Sequence, residues 1–318
     1  MSVKDIGFPN LGILLENVPK SFDIFGFELA MYGIVITIAV AAGFCMWLKL
    51  AKVDGMNPDL FWDFSIYAII FCIIGARLYY VIFAWDMYKD DLKEIFNIRN
   101  GGLAIYGAVI AAFITAAVFC KIKKVKLLKF ADIGVAGLVL GQIIGRWANF
   151  FNREAFGDYT NNLFAMRLPV DMIRKSEITD TMAANIQVVD GIECVSVHPT
   201  FLYESAWNVM VLILILLYFK RKKFDGEIVL LYLGGYGLGR FFVEGLRTDQ
   251  LKWFGTDIAV SQMLGITLFI ACLGTRIVIA LMNQKKKILK TIEEEQDVAD
   301  ASEDSVVESK ATDDTENN

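Results

Sequence analysis

The stretch GQIIGRWANFFNREAFG, Gly141 to Gly157, decides how this chain is read. Ahead of it, Phe130 to Ile144 holds only Asp132 and Gln142 as strongly polar residues, the composition of a membrane-spanning helix. An arginine at the centre of such a helix costs at least ~2.5 kcal/mol, so Arg146 is expected to face a polar cavity or a partner. A lone arginine can also snorkel to the interface. Its neighbours favour a site: Arg146 and Asn149 share a helix face, and Glu154 returns toward them if the helix ends near Phe151. With Asn152 and Arg153, the stretch offers donors, acceptors and a carboxylate within nine residues, a pattern that suits a phosphate or an orienting polar network.

The composition agrees with a membrane protein. The 318 residues are 56% hydrophobic and only 21% charged, which excludes an ordinary soluble enzyme. The net charge of -5 conceals an asymmetry, because Thr291 to Asn318 carries eleven acidic residues against one lysine and leaves 30 basic and 25 acidic residues elsewhere. Four of the five cysteines lie in apolar runs and Cys194 in a polar loop, so no disulfide framework or metal spacing is visible. A single histidine, His198, excludes a multi-histidine metal site. No cofactor, no metal and no nucleic-acid partner is expected. The first twenty residues lack the compact apolar core of a signal peptide.

Seven apolar runs are long enough to cross: Leu29–Leu48, Leu60–Phe83, Leu103–Phe119, Phe130–Phe151, Phe201–Phe219, Ile228–Val243 and Ile258–Leu281. Lysine-rich and arginine-rich loops at Lys49–Lys52, Lys121–Lys129, Lys220–Lys223 and Lys285–Lys287 alternate with these spans. The positive-inside rule makes those loops cytoplasmic, with the N-terminus and the Arg146 pocket outside and the C-terminus inside. The expected fold is therefore an all-α integral membrane protein of seven transmembrane helices. Residues 1–28 form an outer interfacial arm, 29–283 the catalytic membrane domain, 157–197 a small extracytoplasmic cap, and 284–318 a disordered acidic tail. Weak strand-like alternation appears around Ile192 to Ser196.

A second polar stripe falls in the sixth span, where Tyr236, Arg240, Glu244 and Arg247 occupy i, i+4, i+8 and i+11 of one face. It reads either as a self-satisfied ion-pair ladder or as half of an anion clamp with Arg146, with Glu154 and Glu244 holding the guanidiniums. The recurring Gly134, Gly137, Gly141 and Gly145 signal close helix packing. Tyr32, Arg77 and Tyr106 are further polar residues in apolar runs, Tyr106 lying between the glycines of GGLAIYG, Gly101–Gly107. His198 opens HPTFLYES and is the one group whose ordinary pKa lies near neutrality, with Glu204 six residues on.

The motifs GGLAIYG, GRWANFFNREAFG, HPTFLYES and YGLGRFFVEGLRTD, in this order, resemble the bacterial phosphatidylglycerol-prolipoprotein diacylglyceryl transferases over roughly Met31 to Leu281. The resemblance implies transfer of the diacylglyceryl group of phosphatidylglycerol to the lipobox cysteine of a preprolipoprotein at the bacterial cytoplasmic membrane, with release of glycerol phosphate. It implies that Arg146 binds the lipid head group beside Asn149 and Glu154, and that Tyr32, Arg240 and Glu244 complete the site. Many members carry histidine where this chain has Tyr106, and an aliphatic residue and glycine where it has Trp147 and Ala148. Tyr106 is therefore expected to orient the thiol or phosphate, with His198 or a carboxylate as proton acceptor. The alternatives from the residues alone are an anion or lipid transporter using paired intramembrane arginines and a structural membrane subunit.

Overall fold

Long apolar runs without internal proline form helices, and a computed structural model of the chain shows where they go. It describes residues 2, 4–97, 101–248, 250, 253 and 258–316. The chain divides into a first unit through Phe269 and a second from Ile270. The helices are α1 (Met31–Val53), α2 (Asp59–Phe83), α3 (Ile105–Ile122), α4 (Leu127–Asn152), the short α5 (Asp180–Ala184), α6 (Thr200–Tyr218), α7 (Glu227–Glu244) and α8 (Val260–Glu316). Among the described residues, six segments are long and apolar enough to cross a membrane: α1, α2, α3, α4, Thr200–Arg221 and Val260–Lys286. The chain is thus a predominantly helical, multi-pass membrane protein. The sixth run of the sequence is helical as α7, but its 18 residues include Glu227, Arg240 and Glu244 and stand apart from the six.

Small residues set the helix packing. Gly43 of α1 and Gly137 of α4 meet backbone to backbone, a Cβ on Gly43 falling 2.7 Å from the Gly137 carbonyl oxygen. Trp47 of α1 donates from Nε1 to the Gly134 carbonyl at 2.7 Å. Gly75 of α2 meets Gly107 of α3 in the same way. Around these contacts Phe61, Phe64, Phe119 and Phe130 form an aromatic core, Phe61 and Phe130 stacked at 4.5 Å between centroids.

The segments 1–28 and 157–197, read separately from sequence, share one sheet. Strands β1 (Ile6–Phe8), β2 (Ile13–Leu15), β5 (Met166–Pro169), β6 (Gln187–Val189) and β7 (Ile192–Val197) form an antiparallel sheet in the order β2-β1-β5-β7-β6, while β3 (Ser21–Ile24) and β4 (Phe27–Ala30) make a separate hairpin leading into α1. The strand-like alternation at Ile192 to Ser196 is β7, with Leu168 opposite Val195. The arm joins the cap because Ile6 and Phe8 need a buried face, which Phe156, Leu168 and Val197 supply. Arg153, the left-handed C-cap of α4, locks this union: its Nη2 donates to the carbonyls of Lys4 and Val18, both at 2.7 Å. At the other end of the chain, α8 continues to Glu316 where composition predicts a disordered tail. Residues 284–316 are rich in lysine and glutamate, which favour helix when the chain follows one already formed.

Candidate active site

Helices α4, α6 and α7 converge where α4 ends, α6 begins and α7 ends, all beneath the cap sheet. Glu204, one turn into α6 and only 7% exposed, is the hub. One carboxylate oxygen pairs with Arg146 of α4, and the other accepts from Arg240 Nη1 of α7 at 3.1 Å. Arg240 also pairs with Glu244 at 2.5 Å, one helical turn on, and Arg247 Nη1 stands 3.9 Å from Glu204. Arg146 is the open end of this cluster. Only its Nη2 has a partner among the described residues, so the rest of its donor fork is available to a ligand. A half-used guanidinium set among apolar helices has the donors that a planar anion can take up. Next to it, Glu204, Trp207, Asn208, Tyr236 and Arg240 line a narrow cleft between α6 and α7.

The other predicted residues fall into separate places. Asn149 and Asn152 donate to Glu154 Oε1 at 3.1 and 3.4 Å, so Glu154 is held by amides and by Arg174 at 3.8 Å, while Glu204 takes the position beside Arg146 expected of Glu154. The turn after α4 brings Glu154 back onto Asn149 through Glu154 N–H to Asn149 carbonyl, 3.1 Å, instead of extending it to the guanidinium. Arg153 gives its Nη2 to the arm and its Nη1 to the Phe151 carbonyl at 3.0 Å. Tyr32 lies in the first turn of α1, half exposed. Tyr106, 70% exposed, lies on α3 with its ring 6.2 Å from that of Tyr79 and is not joined to the arginine centre. Arg77, buried beside it in α2, is a loop clamp whose guanidinium donates to the carbonyls of Glu94, Ile95, Asn97, Gly101 and Gly102.

His198 joins β7 to α6. Its Nδ1 lies 3.3 Å from the Tyr203 hydroxyl and 3.4 Å from Asn162 Nδ2. Burial holds its pKa below the ordinary histidine value, with Asp158 opposing, so the ring is neutral at pH 7. Its backbone carbonyl accepts from Gly157 N at 2.9 Å, and Asp158 N donates to the Leu246 carbonyl at 3.0 Å. The loop after α4 is thereby wedged between the start of α6 and the end of α7. Only glycine fits at 157, since a Cβ there meets the Leu246 carbonyl oxygen at 2.5 Å. The hub role of Glu204 is the feature that sequence reasoning misses. Its one signal is a carboxylate placed a single turn inside an apolar helix.

A bundle of long apolar helices with an arginine-rich, partly buried centre is the architecture of an integral membrane protein. The sequence profile of the family described as prolipoprotein diacylglyceryl transferase matches residues 19–278. Proteins named phosphatidylglycerol–prolipoprotein diacylglyceryl transferase from Finegoldia magna and Listeria innocua are 43% and 41% identical, over 86% and 80% of this chain and 98% and 87% of their own. A Clostridium perfringens protein named phosphatidylglycerol–prolipoprotein diacylglyceryl transferase 1 is 38% identical over 85% of this chain and 97% of its own. The chain belongs to the prolipoprotein diacylglyceryl transferase family.

Proposed function

We propose that this chain carries out the reaction named for its relatives, moving the diacylglyceryl group of phosphatidylglycerol to a prolipoprotein cysteine, and that the Arg146–Glu204–Arg240 centre is where it does so. The observation that carries this assignment is a pair of guanidiniums from two helices sharing one buried carboxylate, with most of the Arg146 fork still open. The cysteine sulfur attacks the glycerol carbon that bears the phosphate, the carbon–oxygen bond breaks, and glycerol phosphate leaves with the electron pair. Arg146 and Arg240 hold that phosphate and stabilise the charge it gains. Glu204 and Glu244 hold the guanidiniums at the spacing the phosphate needs. The nearby guanidiniums also favour the thiolate of the incoming cysteine, the nucleophilic form. Tyr32, Asn149 and Glu154 border the head-group side, while His198 and Tyr106 act at a distance from the arginines, His198 by fixing the cap to α6.

In this proposal α7 also crosses the bilayer, giving seven spans, with the cap and arm outside and the lysine-rich loops in the cytoplasm. An anion-conducting path is disfavoured by the packing beyond the centre. There Ile133, Ala136, Val139, Ile215 and Ile228 are all fully buried and form a dry apolar plug. The deciding experiment supplies purified protein in phosphatidylglycerol micelles with a synthetic lipobox peptide and follows peptide mass and glycerol phosphate release. Wild type gains the diacylglyceryl mass, and a folded Arg146→Ala does not. Absence of any mass gain in wild type refutes the assignment.

A further inference from the structure

Asn208 is the buried polar side chain that the centre leaves unused. It is 3% exposed, lines the cleft, and makes no side-chain hydrogen bond among the described residues. Buried amides are nearly always partnered by protein or water, so an open one facing a cleft needs a partner, which a ligand atom can supply. Tyr236, across the cleft on α7, stacks on Tyr232 at 5.8 Å, and its hydroxyl has no partner among the described residues. Trp207 is different: its Nε1 is spent on the Gly235 carbonyl at 2.8 Å, leaving an apolar wall.

The levels matter. Asn208 is one turn beyond Glu204 on α6, which leads away from the cap, and Tyr236 is one turn before Arg240 on α7, which returns toward it. Both therefore lie about 6 Å further from the cap than the arginines. The cleft offers a charged level, where Arg240 pairs with Glu204, and then, one turn deeper, a neutral donor level. A diacyl glycerophospholipid presents the matching order: a phosphate, then ester carbonyls that only accept hydrogen bonds, then hydrocarbon. The head-group glycerol extends from the phosphate in the opposite direction, toward the cap. We propose that Asn208, with Tyr236 opposite, is a lipid-binding residue that donates to an ester carbonyl of the diacylglyceryl group and makes the enzyme select ester-linked over ether-linked lipid. This rests on the arginine centre holding the lipid phosphate.

The test compares diester phosphatidylglycerol with its diether analogue of equal chain length, in mixed micelles with a lipobox peptide and the full chain. Wild type is expected to favour the diester by about three- to tenfold in kcat/KM, the worth of one neutral hydrogen bond. Asn208→Leu is expected to lose turnover of the diester and to bring the ratio to about one. Asn208→Ser, smaller and still a donor, is expected to fall between them. Equal use of both lipids by wild type, or an undiminished preference in Asn208→Leu, overturns the proposal. If Asn208→Leu does not accumulate, the serine variant decides: a reduced preference supports the assignment and an unchanged one overturns it. No product from either lipid in wild type refutes the transferase reading itself and the subsite with it.

Discussion

Two buried charged clusters sit at opposite ends of α4 and α7, and they differ in what their charges are spent on. Near the start of α4, Asp132 is fully buried and accepts from the backbone amides of Gly226, Ile228 and Val229 at 2.9, 3.1 and 3.1 Å. Lys222 lies 2.9 Å from Asp54 and 3.6 Å from Asp132, and Lys129 lies 3.3 Å from Asp54. Two acids meet two bases, and Asp132 caps the N-terminus of α7 where the helix dipole favours a carboxylate. Fourteen residues along α4, Arg146 shares its carboxylate with Arg240 and keeps most of its donors open beside a cleft. A cluster whose charges are paired off ties elements together. One that keeps donors open is the one proposed above to take the lipid phosphate.

That contrast can be broken by mutation, beginning with the largest effect. Glu204→Gln removes the charge that spaces Arg146 and Arg240, and diacylglyceryl transfer is expected to fall by about 10²- to 10³-fold, measured by peptide mass at equal amounts of folded protein. If turnover survives, the hub has no role in reaction. Asp132→Ala is the converse case: loss of its carboxylate strands three buried amides and leaves Lys222 with Asp54 alone, costing about 3 to 5 kcal/mol in stability. Thermal unfolding in detergent reads that loss, and turnover per folded molecule is expected to stay within about threefold of wild type. A variant that is stable yet inactive contradicts the assignment of this cluster to structure.

Smaller effects sharpen the role of the cap. Arg153→Met releases the arm from α4, with an expected cost of about 2 kcal/mol. Faster hydrogen exchange in β1 and β2 checks it, against unchanged exchange in β6 and β7. His198 gives the smallest effect. Its folded pKa is depressed, so the unfolded chain binds the proton more readily, and the stability it contributes is present above about pH 6.5 and lost as pH falls through the lowered folded value. His198→Asn is expected to flatten the acid limb of a stability–pH curve by less than about 1 kcal/mol, and an unaltered limb refutes the buried neutral ring.

Much of this molecule is legible in the order of its residues. Six of the seven expected span positions coincide with helices apolar enough to cross, and the glycines at Gly134, Gly137, Gly141 and Gly145 line the face of α4 toward α1. The Arg240–Glu244 pair follows from helical spacing alone. Glu204 does not, because its partners lie 58 residues before and 36 after it, and no periodicity within one helix reports a contact with another. The Arg153 clamp is hidden for the same reason. Its position in a polar motif reads as ligand chemistry, whereas its partners are carbonyls at the far N-terminal end.

Hydropathy and helical period are local properties, and from them the chain alone specifies a multi-pass helical membrane protein and the identities of the arginines at its centre. Three things wait on the packed fold: which carboxylate gathers those arginines, the union of arm and cap in one sheet, and the opening of Asn208 onto the cleft. They depend on contacts between helices, where the low dielectric forces each charge to find a partner wherever the fold supplies one.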